Sequence, residues 1–182
     1  INDPNAVAVA TSSKDNQPNV RMVLLKGLSD KGFVFYTNFN SKKGSELKEN
    51  LKASMCFHWK SLRRQVRVVG SVEEVTKKEA DDYYNSRPYK NRISAWASSQ
   101  SQTLDKRNTF LEKIKEFEKK YPDENNVPRP PHWSGWRVIP NEIEFWVDGE
   151  GRIHERLNYK SKNGKWEKKL FILKKICLKK IK

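Results

Sequence analysis

The stretch VRMVLLKGLSDKGFVFYT, residues 20–37, decides the fold class. Two runs rich in β-branched, aliphatic and aromatic residues, Val20–Lys26 and Phe33–Thr37, flank the turn-forming sequence Ser29–Gly32. Short runs of this kind around a Gly-containing turn are typical of antiparallel strands. A further run, Ala6–Thr11, precedes them, and the spacing predicts that the three strands form an antiparallel meander.

Outward from this stretch, the sequence predicts two groups of strands separated by helices. Ser41 is a suitable N-cap for a helix over 42–50, and strand patterns follow over 53–59 and 65–75. Thr76 and Glu79 form a capping-box pattern, which predicts a helix ending near Asn85. Further helices are expected over 91–98 and 105–119, and further strands over 136–139, 142–147 and 152–160. The fold class predicted is α+β, a single domain with an antiparallel barrel or sheet and a helical insert.

Composition excludes several classes of protein. The 182 residues include 6 Trp, 6 Tyr and 8 Phe, too many aromatic residues for a disordered chain. No apolar run approaches the roughly 20 residues that span a bilayer, so no membrane role is expected. Two cysteines and three histidines form neither a disulfide scaffold nor a metal-binding spacing. We therefore expect a soluble, cytoplasmic protein, and because the sequence starts at Ile1 we expect a further N-terminal segment.

The net charge of +15 is concentrated at the C-terminus. Residues 160–182 contain ten Lys and one acidic residue, Glu167. The rest of the chain is only mildly basic, so no nucleic-acid partner is expected, although a basic tail leaves binding to nucleic acid or an acidic surface as an alternative.

The sequence lacks the dinucleotide, P-loop, esterase and zinc-protease motifs, and its functional candidates are cations at the ends of predicted strands and helices. Lys26 ends a strand, and Lys42 and Lys43 follow the N-cap Ser41, where a helix N-terminus favours phosphate. Taken alone, each of these segments also fits a solvated surface.

Three further groups are candidates. Alternation along the predicted strand 152–160 places Arg152, His154 and Arg156 on one face, a concentration of positive charge that calls for an anion. Tyr83 and Arg87 share a face at a spacing of four residues, and the polar pair Gln100-Ser101 follows a predicted helix. Ordinary surface packing would also account for the Tyr83–Arg87 pair.

In collinear order over about residues 6–160, the sequence resembles the pyridoxamine 5′-phosphate oxidase family, FMN enzymes of vitamin B6 metabolism. The segments that carry the resemblance are Arg21–Lys26, Phe35–Asn38, Arg64–Arg67, Ser86–Pro88, Gln100-Ser101, Ile143–Trp146 and Arg152–Arg156. The resemblance implies a split β-barrel and a homodimer with FMN at the subunit interface.

The resemblance also implies the residues of the site. The FMN contacts would be Arg21, Met22, Val23, Leu24, Lys26, Tyr36, Thr37, Lys42, Lys43, Gln65, Gln100, Ser101, Trp146 and Arg156. Substrate contacts would be Lys26, Tyr83, Arg87, Asn91, Arg152 and His154, of which Arg152 and His154 would be catalytic. The implied reaction is oxidation of pyridoxamine or pyridoxine 5′-phosphate to pyridoxal 5′-phosphate, with O2 reduced to H2O2.

Departures from the family pattern occur at two positions of the implied site and at the C-terminus. Lys42 stands where Arg is usual, and Asn91 where Ser is usual. The C-terminus lacks the family's closing Arg-Leu-x-Pro strand, so we predict that an oxidase domain covers 1–169, that the closing strand ends near Lys169, and that 170–182 form a divergent Lys-rich tail. A protein that binds FMN or pyridoxal phosphate with weak or no turnover is the alternative that this tail leaves open.

Overall fold

The computed structural model of the chain describes residues 2–98, 100–101 and 107–172. Within these residues the chain forms nine strands and four helices. The strands are β1 (Ala6–Ser12), β2 (Pro18–Leu24), β3 (Gly27–Ser29), β4 (Gly32–Asn38), β5 (Lys52–Trp59), β6 (Arg64–Glu74), β7 (Trp133–Val147), β8 (Glu155–Lys162) and β9 (Lys165–Ile172). The helices are α1 (Lys42–Glu49), α2 (Lys77–Asn85), α3 (Tyr89–Ala97) and α4 (Arg107–Lys120).

The strands form one curled antiparallel sheet in the order β2-β1-β5-β6-β7-β4-β3, with β8 and β9 continuing from β7. Helices α2, α3 and α4 are inserted between β6 and β7. This arrangement confirms the predicted α+β split barrel with a helical insert. The core consists mainly of aliphatic and aromatic side chains on the inner face of the sheet, among them Val7, Val9, Phe35, Met55, Val68 and Trp136, together with Leu47 of α1.

The predicted meander is wrong in its connectivity. The first two strands pair, but β4 pairs with β3 and β7 rather than with β2, and β1 pairs with β5 on its other side. The reason lies in β4, which is buried along most of its length. The backbone N–H and C=O groups of a buried strand need hydrogen-bond partners on both edges, and the distant strand β7 provides those on one edge.

The two strands predicted at 136–139 and 142–147 are one continuous strand, β7, although it contains Pro140. The register between β6 and β7 shifts at Val69/Gly70, directly opposite this proline. A bulge accommodates a residue that cannot donate to the ladder, so the strand continues through it.

The connection between the predicted strands 142–147 and 152–160 is longer than expected. Residues Glu150–Arg152 form a single 3-10 turn, with φ of +62° at Gly151 and +65° at Arg152, and β8 begins at Glu155. Arg152 and His154 therefore precede the strand, and the prediction that Arg152, His154 and Arg156 share one strand face is wrong.

The helix caps agree with the sequence prediction. The Ser41 hydroxyl accepts a hydrogen bond from the Gly44 N–H, and Thr76 and Glu79 form the complete capping box of α2. At the other end of the chain, β9 pairs with β8 as far as Ile172, so the closing strand does not end near Lys169. The division into a domain over 1–169 and a tail over 170–182 stays a prediction, and 173–182 lie outside the described residues.

Of the helices described, none is both long enough and apolar enough to cross a bilayer.

Candidate functional site

A cavity of about 760 Å³ lies between β2, β4, the N-terminus of α1 and the helical insert. This volume is within the range of small-molecule sites. Thirteen of the residues proposed from the sequence line it, namely Arg21, Met22, Val23, Leu24, Lys26, Tyr36, Thr37, Lys42, Lys43, Tyr83, Arg87, Gln100 and Ser101. The fold thus brings together segments that lie as much as 80 residues apart in the sequence.

One part of the cavity is a cluster of cations around the start of α1. Lys43 is 7% exposed, and its Nζ lies 3.2 Å from Gln100 Oε1 and 3.3 Å from Ser41 Oγ. Burial, with a smaller contribution from the positive charge of Arg21, lowers the pKa of Lys43 to about 8. Among the ion pairs of the described residues, none involves Lys43. A buried ammonium with only neutral partners favours the approach of an external anion.

A second cation, Arg87, lies against an aromatic wall of the cavity. The ring of Tyr36 stacks on those of Tyr83 and Trp133, with centroid distances of 4.0 and 5.3 Å. The Arg87 guanidinium carbon lies 4.8 Å from the centroid of Trp133. Its Nη1 is buried without a hydrogen-bond partner among the described residues, and burial lowers its pKa. A buried guanidinium N–H without an acceptor costs free energy of folding. An anionic ligand that accepts a hydrogen bond from Nη1 would remove this cost.

Gly135 allows the aromatic wall to form. It lies opposite Tyr36 in the β4–β7 ladder, and a Cβ at this position would lie 2.9 Å from the Tyr36 ring. The absence of a side chain lets the Tyr36 ring lie flat over the strand.

The other proposed residues do not line the cavity. Gln65, Trp146 and Arg156 are neighbours across β6, β7 and β8, and the His154 ring lies 4.8 Å from that of Trp146. We call these three residues with Arg152 and His154 the C-terminal cluster. Arg152 is exposed on the turn before β8.

Arg156 of the C-terminal cluster is neutralised within the chain, contrary to the expectation of an unmet positive charge, and His154 also has a carboxylate neighbour. Arg156 Nη2 lies 2.5 Å from a carboxylate oxygen of the buried Glu144, and His154 Nδ1 lies 2.8 Å from Asp148 Oδ1. Alternation along one strand predicts neither partner, because Glu144 lies on the neighbouring strand β7 and Asp148 lies in the connection that follows it.

Asn91 also lies outside the cavity. It is exposed in the first turn of α3, and Ser94, one turn later, lines the cavity instead. The lining residues that sequence reasoning missed are Asn38, Ser94, Ala95, Ser98, Phe110 and Trp133. Most lie on the helical insert or at its borders, and the sequence gives no local signal for which of their faces packs over the sheet.

The donor set of the cavity fits FMN. Lys43, Lys42 and Arg21 offer positive charge for a phosphate, and Gln100, Ser101 and Thr37 offer polar groups for the edge of a heterocycle. Arg87 follows α2 and lies against Trp133, whereas Lys42 and Lys43 begin α1, so Arg87 offers a place for a second anion. Across the described ranges, we find no cluster of three or more side chains suited to hold a metal ion.

Comparison with known proteins agrees with this chemistry. Residues 1–121 match the family model of pyridoxamine 5′-phosphate oxidase, and residues 133–172 match that of the pyridoxine 5′-phosphate oxidase C-terminal dimerisation region. The chain is 61% identical over 171 residues to a pyridoxine/pyridoxamine 5′-phosphate oxidase of Pelagibacter ubique, covering 93% of this chain and 82% of that protein. It is 54% identical over 170 residues to the protein of the same name from Agrobacterium fabrum, covering 92% and 82%.

Solved structures share the fold. PhzG from Burkholderia lata, solved with tetrahydrophenazine-1-carboxylic acid, superposes with a TM-score of 0.89 at 28% identity, covering 94% of this chain and 84% of that one. A pyridoxamine 5′-phosphate oxidase-related, FMN-binding protein from Nostoc punctiforme has a TM-score of 0.75 at 15% identity, covering 94% and 89%. Because two family models match successive parts of the chain, and relatives identical at 54–61% of positions extend along nearly all of it, this chain belongs to the pyridoxamine 5′-phosphate oxidase family.

Proposed function

We propose that this chain is an FMN-dependent oxidase that converts pyridoxamine 5′-phosphate or pyridoxine 5′-phosphate to pyridoxal 5′-phosphate, with O2 as the acceptor and H2O2 as a product. The observation that carries this proposal is the buried, unpartnered Nη1 of Arg87 in the same cavity as Lys43. Two separate cationic positions suit a phosphorylated cofactor and a phosphorylated substrate bound side by side. Relatives that share 54–61% of their residues with this chain carry the name of this oxidase.

FMN, when bound, supplies the acceptor of the substrate's hydride and the electrons that reduce O2. The residues that would hold it are the phosphate-binding cations Arg21, Lys42 and Lys43, the β2 segment Met22–Leu24 with Lys26, and the polar group of Tyr36, Thr37, Gln100 and Ser101. Lys43 is the deepest of these cations, and its contacts with Ser41 and Gln100 fix its ammonium group before a ligand arrives.

Arg87, Tyr83 and Lys26 would bind the substrate phosphate. The Trp133 ring packs against the Arg87 guanidinium and orients it. The stacking of Tyr83 on Tyr36 holds the Tyr83 ring in place in the aromatic wall. The contribution of these residues is the placement of the substrate beside the aromatic wall. Asn91, which lies outside the cavity, is the weakest member of the proposed substrate set.

The protein acts as a homodimer. Residues 133–172 match a dimerisation region, and this range contains four of the five residues of the C-terminal cluster. We propose that this cluster from one subunit completes the cavity of the other, where Gln65, Trp146 and Arg156 would contact FMN. Arg152 and His154 would then lie over the substrate, with Arg152 holding or moving a proton at the reacting carbon and His154 positioning the ring.

The alternative of a binding protein without turnover is not favoured, since close relatives are named as oxidases. A cytoplasmic location is part of the proposal and is supported by the low cysteine content, two in 182 residues.

The test is a flavin titration of the purified full chain. We expect bound flavin that bleaches on anaerobic addition of pyridoxamine 5′-phosphate and releases H2O2 when air is admitted. Unphosphorylated pyridoxamine is the matched control, and it should bleach the flavin only at much higher concentration. A flavin that stays oxidised with both phosphorylated substrates would overturn the proposed activity. The alternative of a protein that binds FMN without turnover would then be favoured.

A further inference from the structure

Behind the α1 cations lies a carboxylate, Glu46, that does not line the cavity. It is 3% exposed and accepts hydrogen bonds from three side chains on the first hairpin. Thr11 Oγ1 lies 2.5 Å from Oε2, Asn19 Nδ2 lies 2.6 Å from Oε1, and Arg21 Nη2 lies 3.2 Å from Oε2. A buried carboxylate with three donors, one of them charged, is well compensated for its loss of water.

Glu46 connects two elements that each carry cavity cations. Arg21 lies on β2, whereas Lys42 and Lys43 lie in the first turn of α1, the same helix that carries Glu46 one turn later. The Arg21 guanidinium is held on its other side by Thr11 Oγ1 and by the Val9 carbonyl oxygen, 3.4 Å away. The Glu46–Arg21 pair therefore fixes the position of the β2 cation relative to the two α1 cations.

The charges also balance. Arg21, Lys42 and Lys43 with Glu46 leave an excess of two positive charges around the start of α1. A phosphate monoester carries about −1.5 to −2 at pH 7, so the set matches one such group.

We propose that Glu46 is a positioning residue for the phosphate of the cofactor: it does not contact the ligand, but it holds Arg21 in the geometry in which Arg21, Lys42 and Lys43 bind one phosphate monoester together. This proposal rests on the proposed function, since it takes FMN as the ligand.

Two other roles for Glu46 make different predictions. If Glu46 only attaches α1 to the hairpin, its loss weakens the binding of every flavin equally. If it acts only through its charge, its removal strengthens the binding of a phosphate, because a negative charge near the anion is lost. A positioning role instead predicts weaker binding of FMN alone, despite the more positive cavity.

The experiment compares the Kd values of FMN and riboflavin for the full chain freed of flavin, measured by quenching of flavin fluorescence. Riboflavin lacks the phosphate, so the ratio of the two Kd values isolates the phosphate contribution. We expect Glu46→Gln, which keeps the size and one acceptor oxygen, to reduce the preference for FMN at least about tenfold while the riboflavin Kd changes less than about threefold. Glu49→Gln is the matched control, since Glu49 is exposed on the same helix, and it should leave both values unchanged.

A second variant keeps the test decisive if Glu46→Gln does not fold. Thr11→Val retains the Glu46 charge but removes the hydroxyl that bonds both Glu46 and Arg21. We expect it to reduce the FMN preference about threefold, in the same direction as Glu46→Gln. An unchanged or increased preference for FMN in the variants that fold would overturn the positioning role. Wild-type protein that binds FMN no better than riboflavin, or binds neither, would instead overturn the proposed function.

Discussion

The cavity and the C-terminal cluster both contain cations, but they differ in what neutralises them. In the cavity, Lys43 has only neutral partners and Arg87 Nη1 has none among the described residues. In the C-terminal cluster, Arg156 and His154 are paired with Glu144 and Asp148 of the same chain. In the part of the chain that the structure describes, Lys43 and Arg87 thus lack an anionic partner, whereas Arg156 already has one, as does Arg21, the cavity cation that is paired with Glu46.

This difference indicates two distinct tasks. Cations that lack a carboxylate partner gain most from an incoming phosphate, so binding affinity is expected to reside in the cavity. Side chains that are already paired within the chain, such as Arg156 and His154, are held in a fixed orientation, which suits groups that position a cofactor or a substrate ring. The exposed Arg152 is the exception in the C-terminal cluster, and it remains the proposed catalytic residue there.

Variants of Arg87 and Arg152 should show the largest effects, and they test whether the cavity binds the substrate while the C-terminal cluster acts in the reaction. Arg87→Ala should reduce kcat/KM by at least about 10²-fold, about 2.7 kcal/mol, mainly through KM, because it removes the proposed substrate-phosphate contact. Arg152→Ala should cause a loss of at least about 10²-fold, but mainly through kcat. Steady-state kinetics with pyridoxamine phosphate separates the two parameters, and both variants should retain flavin. Equal effects on KM in the two variants would contradict the division of tasks.

Mixing these two variants tests whether the regions meet across the dimer. In a two-fold dimer, a subunit with Arg87→Ala paired with one carrying Arg152→Ala contains one site in which both residues are intact. After the mixture is unfolded and refolded together, about a quarter of wild-type activity should return, because about half of the dimers are mixed and each has one working site. If the two regions serve the same subunit's site, the mixture stays inactive.

The pH dependence of FMN binding tests the unpaired cation in the cavity. The pKa of Lys43 is lowered to about 8, and a bound phosphate favours the charged form. The Kd of FMN should therefore be constant below pH 8 and rise above it, by at most about tenfold per pH unit. Fluorescence titrations between pH 6.5 and 9.5 would measure this, with Lys43→Met as a control that binds more weakly and lacks the rise. A wild-type Kd that is flat across the range would remove Lys43 from the phosphate site.

Two truncations test how much the end of β9 contributes to FMN binding, stability and turnover, where we expect the smallest effects. Removal of the chain after Ile172 should leave the FMN Kd within about threefold, which corresponds to about 0.7 kcal/mol. Removal after Lys169 also deletes Phe171, whose ring lies 5.5 Å from the Arg156 guanidinium carbon. We expect this shorter chain to have a lower Tm and a lower kcat than the longer one. Identical behaviour of the two truncations would show that the last residues of β9 contribute nothing.

Much of the site follows from local sequence. Ser41 and Thr76 mark the starts of α1 and α2, because capping depends on hydrogen bonds within four residues. Alternation in β2 places Arg21 and Val23 on the inner side of the strand and exposes Met22, as the period of two requires. Family resemblance, rather than any single pattern, united these segments into a site for FMN and a phosphorylated substrate.

The sequence by itself determined most of the strands and helices and which cations are candidates, since these depend on short-range patterns. Only the tertiary structure decided that β4 pairs with β7, that Arg152 precedes β8 rather than lying in it, and which cations have a carboxylate partner. Strand pairing and ion pairing join residues far apart in the chain, such as Arg21 with Glu46, and no local pattern encodes such a partner. The physical reason is that the free energy of a buried charge depends on everything that surrounds it in three dimensions.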